Sequence, residues 1–386
     1  MVFLLAFLML VGHWVFCLFV INRAHATSLP YWLVKVIDGL WYLSVLVVPL
    51  MVLAYLVDGR PDWLATFVAL EYLVNGYVGV CWLAAVAAIP VWLRYYTDSG
   101  TTDRLLSRTS REIDLLQRIG HRPVDSFFTN MLSRIPANQV FELAITEKTL
   151  RLPRLNSSLD GLTITHLSDL HLTGRVTREF YEVVVDEANK LDSDIVAITG
   201  DIIDKRACLP WLDEILGRLT SRHGVFFVLG NHDLRVDDEP GLRTQLTNLG
   251  FIDLGGRWNV INIQQIPVIL AGNELPWFVP AANMQTCPVG NRLGRPLRIA
   301  LSHSPDQIEW CRNNDCDLML AGHTHGGQIR LPVIGPIFSP SRYGVKYSAG
   351  TFFVNPTLMH VSRGLSGTRP LRFNCTPEIS KLTLRV

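Results

Sequence analysis

Five times in this chain an apolar, strand-like run stops and a cluster of metal-ligating side chains follows at once. The runs cover residues 162–167, 195–199, 225–229, 297–301 and 318–320. The clusters are Asp169-Leu170-His171, Gly200-Asp201-Ile202-Ile203-Asp204, Gly230-Asn231-His232-Asp233, Ser302-His303-Ser304 and Gly322-His323-Thr324-His325. Loops beyond the carboxyl ends of strands in α/β sheets are held rigidly yet face solvent, so clusters far apart in sequence can converge there. The pattern constrains the fold to α/β. Helical spacing of Phe180, Val184, Ala188 and Leu191 predicts a helix over 177–191, and a second is predicted over 209–220. Helix-free strand pairs near 258–271 and 351–385 predict two sheets, a layered αββα sandwich, and argue against a Rossmann sheet. No glycine-rich nucleotide loop of the GxGxxG or GxxxxGK[ST] type is present.

None of the clusters offers a thiolate. Asp169 and His171 alternate, and an extended segment would point both side chains the same way. Gly200 exposes Asp201, whose two carboxylate oxygens can bridge two cations. Asn231 supplies a neutral amide oxygen and His303 a single imidazole. His323 and His325 supply two more, beside glycines that allow close backbone approach. Singly, each fragment fits an ordinary buried polar residue. Five of them in order, each at a strand end, describe one site.

The blocks D-x-H, G-D-x-x-D, G-N-H-D, lone His and G-H-x-H resemble the calcineurin-like metallophosphoesterase superfamily, over roughly residues 162–385. His323 through Gln328, Leu331-Pro332, Ser362-Arg363-Gly364 and Pro377-Glu378-Ile379 resemble its membrane-associated branch. The resemblance implies two divalent ions. One would be held by Asp169, His171, Asp201 and His325, the other by Asp201, Asn231, His303 and His323, with Asp201 bridging. Oxygen and nitrogen donors without sulfur suit manganese, iron or zinc. Such a pair clamps a phosphoryl group and activates a bridging hydroxide for in-line attack. The resemblance implies that His232 is catalytic without being a ligand. It would stabilise phosphoryl oxygens or protonate the leaving alkoxide, oriented by Asp204 or Asp233. Asp204 is favoured; Asp233 reads equally as a loop or helix cap. His166 reads as a strand residue, Arg330 as a phosphate contact or surface residue. The apolar segment 275–280 reads as a cap over the site, a bilayer-dipping loop or core.

The first 94 residues are almost free of charge. Apolar stretches over 2–21, 37–57 and 65–93 each approach or exceed the roughly 20 residues a spanning helix needs. Trp14, Tyr31, Trp32, Trp63, Trp92, Tyr95 and Tyr96 lie near their ends, as interfacial anchors do. The first stretch lacks the basic start and small-residue cleavage site of a signal peptide. Arg23, Lys35, Arg94, Arg104, Arg108 and Arg111 fall on one side of three spans, against Arg60 on the other. The positive-inside rule then predicts an integral protein of the inner or plasma membrane, with a cytoplasmic catalytic domain and an external amino terminus. Asp38, Glu71 and Asn75 mark an intramembrane pathway or ordinary helix packing. Residues 1–96 are expected to form the membrane region, 97–138 a juxtamembrane amphipathic helix (101–121) and linker, and 139–386 the phosphoesterase domain.

A net charge of +1 gives no field for nucleic acid. Seven dispersed cysteines read as reduced thiols. The expected activity is hydrolysis of a phosphodiester, pyrophosphate or phosphomonoester in a small molecule or lipid. A UDP-2,3-diacylglucosamine pyrophosphatase-like enzyme and a non-catalytic membrane sensor or scaffold are the alternatives.

Overall fold

The strand-like runs fold into two stacked sheets. The first holds β1 (Leu105–Asp114), β2 (Glu142–Arg151), β3 (Thr163–Leu167), β4 (Ile195–Thr199), β5 (Val225–Val228), β6 (Ile252–Asp253) and β15 (Glu378–Arg385), in the order β1-β2-β15-β3-β4-β5-β6. The second holds β7 (Trp258–Ile263), β8 (Ile266–Asn273), β9 (Leu297–Ser302), β10 (Leu318–Ala321), β13 (Gly350–Val354) and β14 (Thr357–Val361), in the order β13-β14-β10-β9-β8-β7. A small ribbon pairs β11 (Arg330–Leu331) with β12 (Gly335–Pro336). These strands belong to a computed structural model that describes residues 1–59, 68–97, 102–290 and 294–386.

The inner faces meet in a core that includes Ile164, Phe226, Leu270, Ile299, Leu320 and Leu382. On the outer face of the first sheet lie α6 (Arg178–Asn189), α7 (Pro210–Glu214) and α8 (Glu239–Asn248), through Phe180, Val184, Leu212 and Leu246. Helix α9 (Ile308–Asn313) covers the second sheet through Ile308 and Cys311. The layers are therefore αββα, as the sequence predicts. Strands β3, β4 and β5 run parallel, as do β8, β9 and β10. Every ligand cluster thus lies just beyond the carboxyl end of a parallel strand. The helix predicted over 209–220 is shorter: α7 stops at Glu214, and a single 3-10 turn, Leu216–Arg218, follows.

The amphipathic helix predicted over 101–121 is corrected. Most of it is β1, an edge strand paired antiparallel with β2 from Leu105↔Leu150 to Asp114↔Glu142. Asp114 then caps a short helix, α4 (Leu115–Ile119), by accepting N–H bonds from Leu116 and Gln117. A strand and a helical turn joined at Asp114 imitate one helical period. The expected linker contains α5 (Phe127–Ser133). The chain divides at Ser99/Gly100, so β1, α4 and α5 belong with the phosphoesterase domain rather than before it.

The unit Met1–Ser99 contains α1 (Val2–His25), α2 (Tyr31–Asp58) and α3 (Val68–Thr97). All three are long and apolar enough to cross a membrane. Many of their exposed side chains, Leu46, Leu50 and Leu83 among them, are apolar. Gly12 lets α1 approach α3 closely: a Cβ there would meet the Cys81 carbonyl at 1.7 Å. Asp38 accepts from His25 at 2.8 Å and Lys35 at 3.2 Å, which fits packing rather than a pathway. Arg60, Trp63 and the start of the third stretch lie outside the described residues.

A charged chain threads the inter-sheet core. Lys148 on β2 contacts Glu378 on β15 at 2.8 Å and His360 on β14 at 2.8 Å. His360 Nδ1 meets His166 Nδ1 at 2.9 Å, and His166 Nε2 meets Thr199 Oγ1 at 2.8 Å. His166 is a strand residue, as expected, and burial pushes its pKa down to about 3. Breaking a buried pair by removing one partner strands the other charge. Glu378→Ala should therefore destabilise the domain by about 3–5 kcal/mol, read from denaturant or thermal unfolding. The double replacement Lys148→Met/Glu378→Leu should recover most of that loss.

Candidate dinuclear metal centre

Two sets of donor atoms converge where the strand ends meet. In the first, His171 Nε2 lies 3.2 Å from His325 Nε2 and 3.5 Å from Asp201 Oδ2, and His325 Nε2 lies 3.6 Å from Asp169 Oδ1. In the second, His303 Nε2 lies 3.3 Å from Asp201 Oδ2, 3.1 Å from His323 Nδ1 and 3.2 Å from Asn231 Oδ1. Ligands about 2.0–2.2 Å from one ion sit at such separations from each other. The carboxylate and imidazole members of each set form a group able to hold a metal ion, and Asp201 belongs to both. All seven residues expected as ligands are thus brought together.

Tautomers support the same reading. The buried ring of His303 donates from Nδ1 to the Thr199 carbonyl at 2.8 Å, which turns Nε2 inward, where loss of its proton would free a lone pair. His171 Nδ1 bonds Asp204 Oδ2 at 2.7 Å, which turns its Nε2 inward in the same way. Carbonyls and carboxylates behind metal-ligating histidines fix the ring in this manner.

The electrostatics also call for cations. Asp169, Asp201 and Asp204 are buried within a few ångströms of one another's partners. Burial pushes the Asp169 carboxyl up. Burial opposes charge on His303, but Asp201 and Asp169 outweigh it and lift the imidazole to about 9. Burial likewise opposes charge on His171, and Asp204 with Asp201 and Asp169 raises it all the same. The donor set of carboxylates, one amide and imidazoles fits two borderline divalent ions.

The backbone departs from the expected extended segment at the first cluster. Asp169 and His171 have φ of 54° and 49°, and Asp201, His323 and His325 are also left-handed, at 52°, 69° and 50°. Both side chains of the first cluster still reach the site, through consecutive tight turns instead of strand alternation. Such residues cost about 1–3 kcal/mol each and persist where surroundings over-determine them. Here the surroundings are hydrogen bonds between clusters. Asp169 N–H donates to Gly200 O at 3.1 Å, and His171 N–H to Asp201 O at 2.9 Å. His323 N–H donates to Asp169 Oδ1 at 3.0 Å, and His232 N–H to Asp201 Oδ1 at 2.7 Å. Gly200 is required by space as well as by its φ of 82°: a Cβ would meet the His303 ring at 2.6 Å.

Asp204 joins both halves of the expected machinery. One oxygen takes His171, and the other takes His232 Nδ1 and Arg235 Nη1, the latter at 2.6 Å. Asp233 does not orient His232. It accepts backbone N–H bonds from Ile202, Ile203 and Gly230, and so pins the second cluster to the third. Its alternative reading as a loop cap is the geometry observed.

One neighbour was not singled out by sequence, and another was read only as part of the apolar segment 275–280. Arg235 Nη2 lies 3.3 Å from His232 Nε2 at the solvent side of the site. The Trp277 ring packs 4.8 Å from His323 and 5.4 Å from His303, so the apolar segment 275–280 walls the second donor set. Arg330 turns back to the Gly326 carbonyl at 3.2 Å.

A model of the calcineurin-like phosphoesterase family matches residues 162–327. The uncharacterized metallophosphoesterase YkuE of Bacillus subtilis is 32% identical over 257 residues, covering 62% of this chain and 85% of that protein. The phosphodiesterase YaeI of Escherichia coli is 29% identical over 225 residues, covering 57% and 81%. The UDP-2,3-diacylglucosamine pyrophosphatase LpxG of Chlamydia muridarum is 25% identical over 290 residues, covering 61% and 88%. The chain belongs to the calcineurin-like metallophosphoesterase family and is a metal-dependent phosphoester hydrolase.

A protonated imidazole cannot ligate, so His303, raised to about 9, must lose its proton as metal enters. Calorimetric titration with manganese in buffers of different ionisation enthalpy should show net proton release. Apparent affinity should rise with pH up to about 9, because below that value the proton on His303 competes with the metal.

Proposed function

We propose that this family member is a membrane-anchored phosphohydrolase that cleaves a phosphodiester or pyrophosphate at a two-metal centre. The observation that carries the reading is the convergence of seven donors into two sets sharing Asp201. Asp169, His171, Asp201 and His325 would hold one ion, and Asp201, Asn231, His303 and His323 the other. Bound there, the pair would supply Lewis acidity toward the phosphoryl oxygens and a water acidic enough to ionise near neutral pH.

The chain's own groups have separate tasks. His232 stands beside the donors with Nδ1 tied to Asp204 and Nε2 3.3 Å from Arg235 Nη2, so a substrate oxygen would meet Nε2 beside that guanidinium. Once protonated at Nε2 as well, His232 would donate from Nε2 to a phosphoryl oxygen or pass that proton to the leaving alkoxide, and this is the role we assign to it. Asp204 holds His232 and His171 in one orientation, and Arg235 shares that carboxylate. Trp277 shuts water away from the His303 and His323 side.

Metals recognise the phosphoryl group and leave its substituents to the surrounding walls. The three long apolar helices support membrane anchoring, with the catalytic domain on the cytoplasmic face by the positive-inside rule. The pyrophosphatase relative supports a lipid-pathway anhydride as a second reading. The complete donor set speaks against a non-catalytic scaffold.

Hydrolysis of bis-p-nitrophenyl phosphate with added manganese tests the reading. His232→Ala should lower kcat by about 10²–10⁴-fold while manganese still binds. Asp201→Asn should abolish both turnover and binding of the second ion. Wild-type turnover no higher than that of either variant would overturn the proposal.

A further inference from the structure

We propose that the unit Gly100–Val386 carries a lipid-facing rim beside the metal centre, and that its occupant is the interfacial layer of an anionic bilayer. Two elements build the rim. Helix α5 exposes Phe127 (85%), Phe128 (62%) and Met131 on one side, although its Thr129 and Ser133 are buried. The turn between β11 and β12 exposes Leu331, Val333 (70%) and Ile334. Large apolar side chains clustered in the open mark contact with a partner or membrane. Val333 adopts φ of 66°, a rare conformation for a β-branched residue, at the tip of this turn.

The two elements and the site share one frame, the segment 366–375. Asn138 donates to Leu132 O of α5 at 3.0 Å and to Pro370 O at 2.8 Å. On the other side, Phe373 N–H donates to Gln328 O at 3.0 Å, and Arg330 N–H donates to Phe373 O at 2.9 Å. Between them the buried Arg372 guanidinium reaches Arg363 O at 2.6 Å, Ser366 O at 2.5 Å and His325 O at 3.4 Å. Pro336 of the ribbon packs so closely on Gly327 that a Cβ there would meet it at 2.3 Å. The apolar rim is therefore built onto the turn that carries the ligand His325.

Charge selects the occupant. Apart from the buried Arg372, segments 122–136, 328–338 and 366–376 contain Arg122, Arg134, Arg330 and Arg369 against Asp125 alone. Aromatic and aliphatic side chains framed by arginine suit the headgroup and upper acyl region of anionic lipid, entered to about 5–10 Å. The same chain also carries three helices long and apolar enough to cross a membrane, so a bilayer is the surface it meets. The consequence rests on the hydrolase reading above: the substrate presents its phosphoryl group at headgroup level, on a lipid.

The full chain in nanodiscs of phosphatidylcholine with phosphatidylglycerol tests this. Nitroxide labels at Phe128→Cys and Val333→Cys, with Glu214→Cys as an exposed control, report collisions with oxygen and with a water-soluble nickel chelate. The unsubstituted chain supplies the labelling background. The rim predicts a severalfold higher oxygen-to-nickel ratio at 128 and 333 than at 214. Nickel access at both positions, as at 214, would overturn it. Exclusion of both reagents would overturn it too, by showing a protein cover such as a second copy. Turnover of the soluble diester by the Phe128→Ser/Val333→Ser variant should equal wild type. That activity is read separately, so failure of the rim and failure of the hydrolase reading are distinguishable.

Discussion

Everything at the centre of this molecule depends on the buried carboxylate of Asp201. It lies 3.5 Å from His171 and 3.3 Å from His303, which come from different sheets. It also receives the His232 N–H. A carboxylate so buried needs positive charge nearby, and its neighbours hold its pKa well below the usual range. Among the described residues that charge comes from imidazoles: His303 is lifted to about 9 and His171 is raised as well. Two cations would satisfy the carboxylates without those protons. The fold is arranged around that demand: parallel strands end at one edge, and left-handed turns aim five of the seven ligands inward.

The turns have an energetic meaning. Five strained ligand residues store several kcal/mol that the ladders beneath them must offset. The offset is visible in apolar strands buried on both faces and in the Lys148–Glu378–His360–His166 chain that fastens the sheets together. Strain at the site and rigidity beneath it are two ends of one balance. Asp233 belongs to this supporting structure, since its carboxylate holds cluster to cluster.

What the sequence made legible, and what it hid, follows from locality. Ligand type and order are local, so the five clusters could be read from residue type and strand-end position, while the choice of seven ligands among their side chains rested on resemblance. The pairing of Asp201 between two sets rested on resemblance, and the structure brings those atoms together. Strand β1 was hidden because its stability lies in pairing with β2, while Leu105, Leu106, Ile113 and Leu116 happen to suit a helical face. The conformations of Asp169 and His171 were hidden because alternation in sequence says nothing about φ. Trp277 was visible only as part of an apolar loop, and its place against His303 and His323 is set by a fold spanning many residues. An amphipathic helix was expected over 101–121; a strand stands there, and the exposed Phe127 and Phe128 lie on α5.

The central claim is that one carboxylate couples two metal ions. Electron paramagnetic resonance of the manganese-loaded full chain tests it most directly. A shared Asp201 predicts the multiline spectrum of an exchange-coupled manganese pair, collapsing to that of isolated ions in Asp201→Asn. A wild-type spectrum of isolated manganese alone, at saturating metal, would contradict the account.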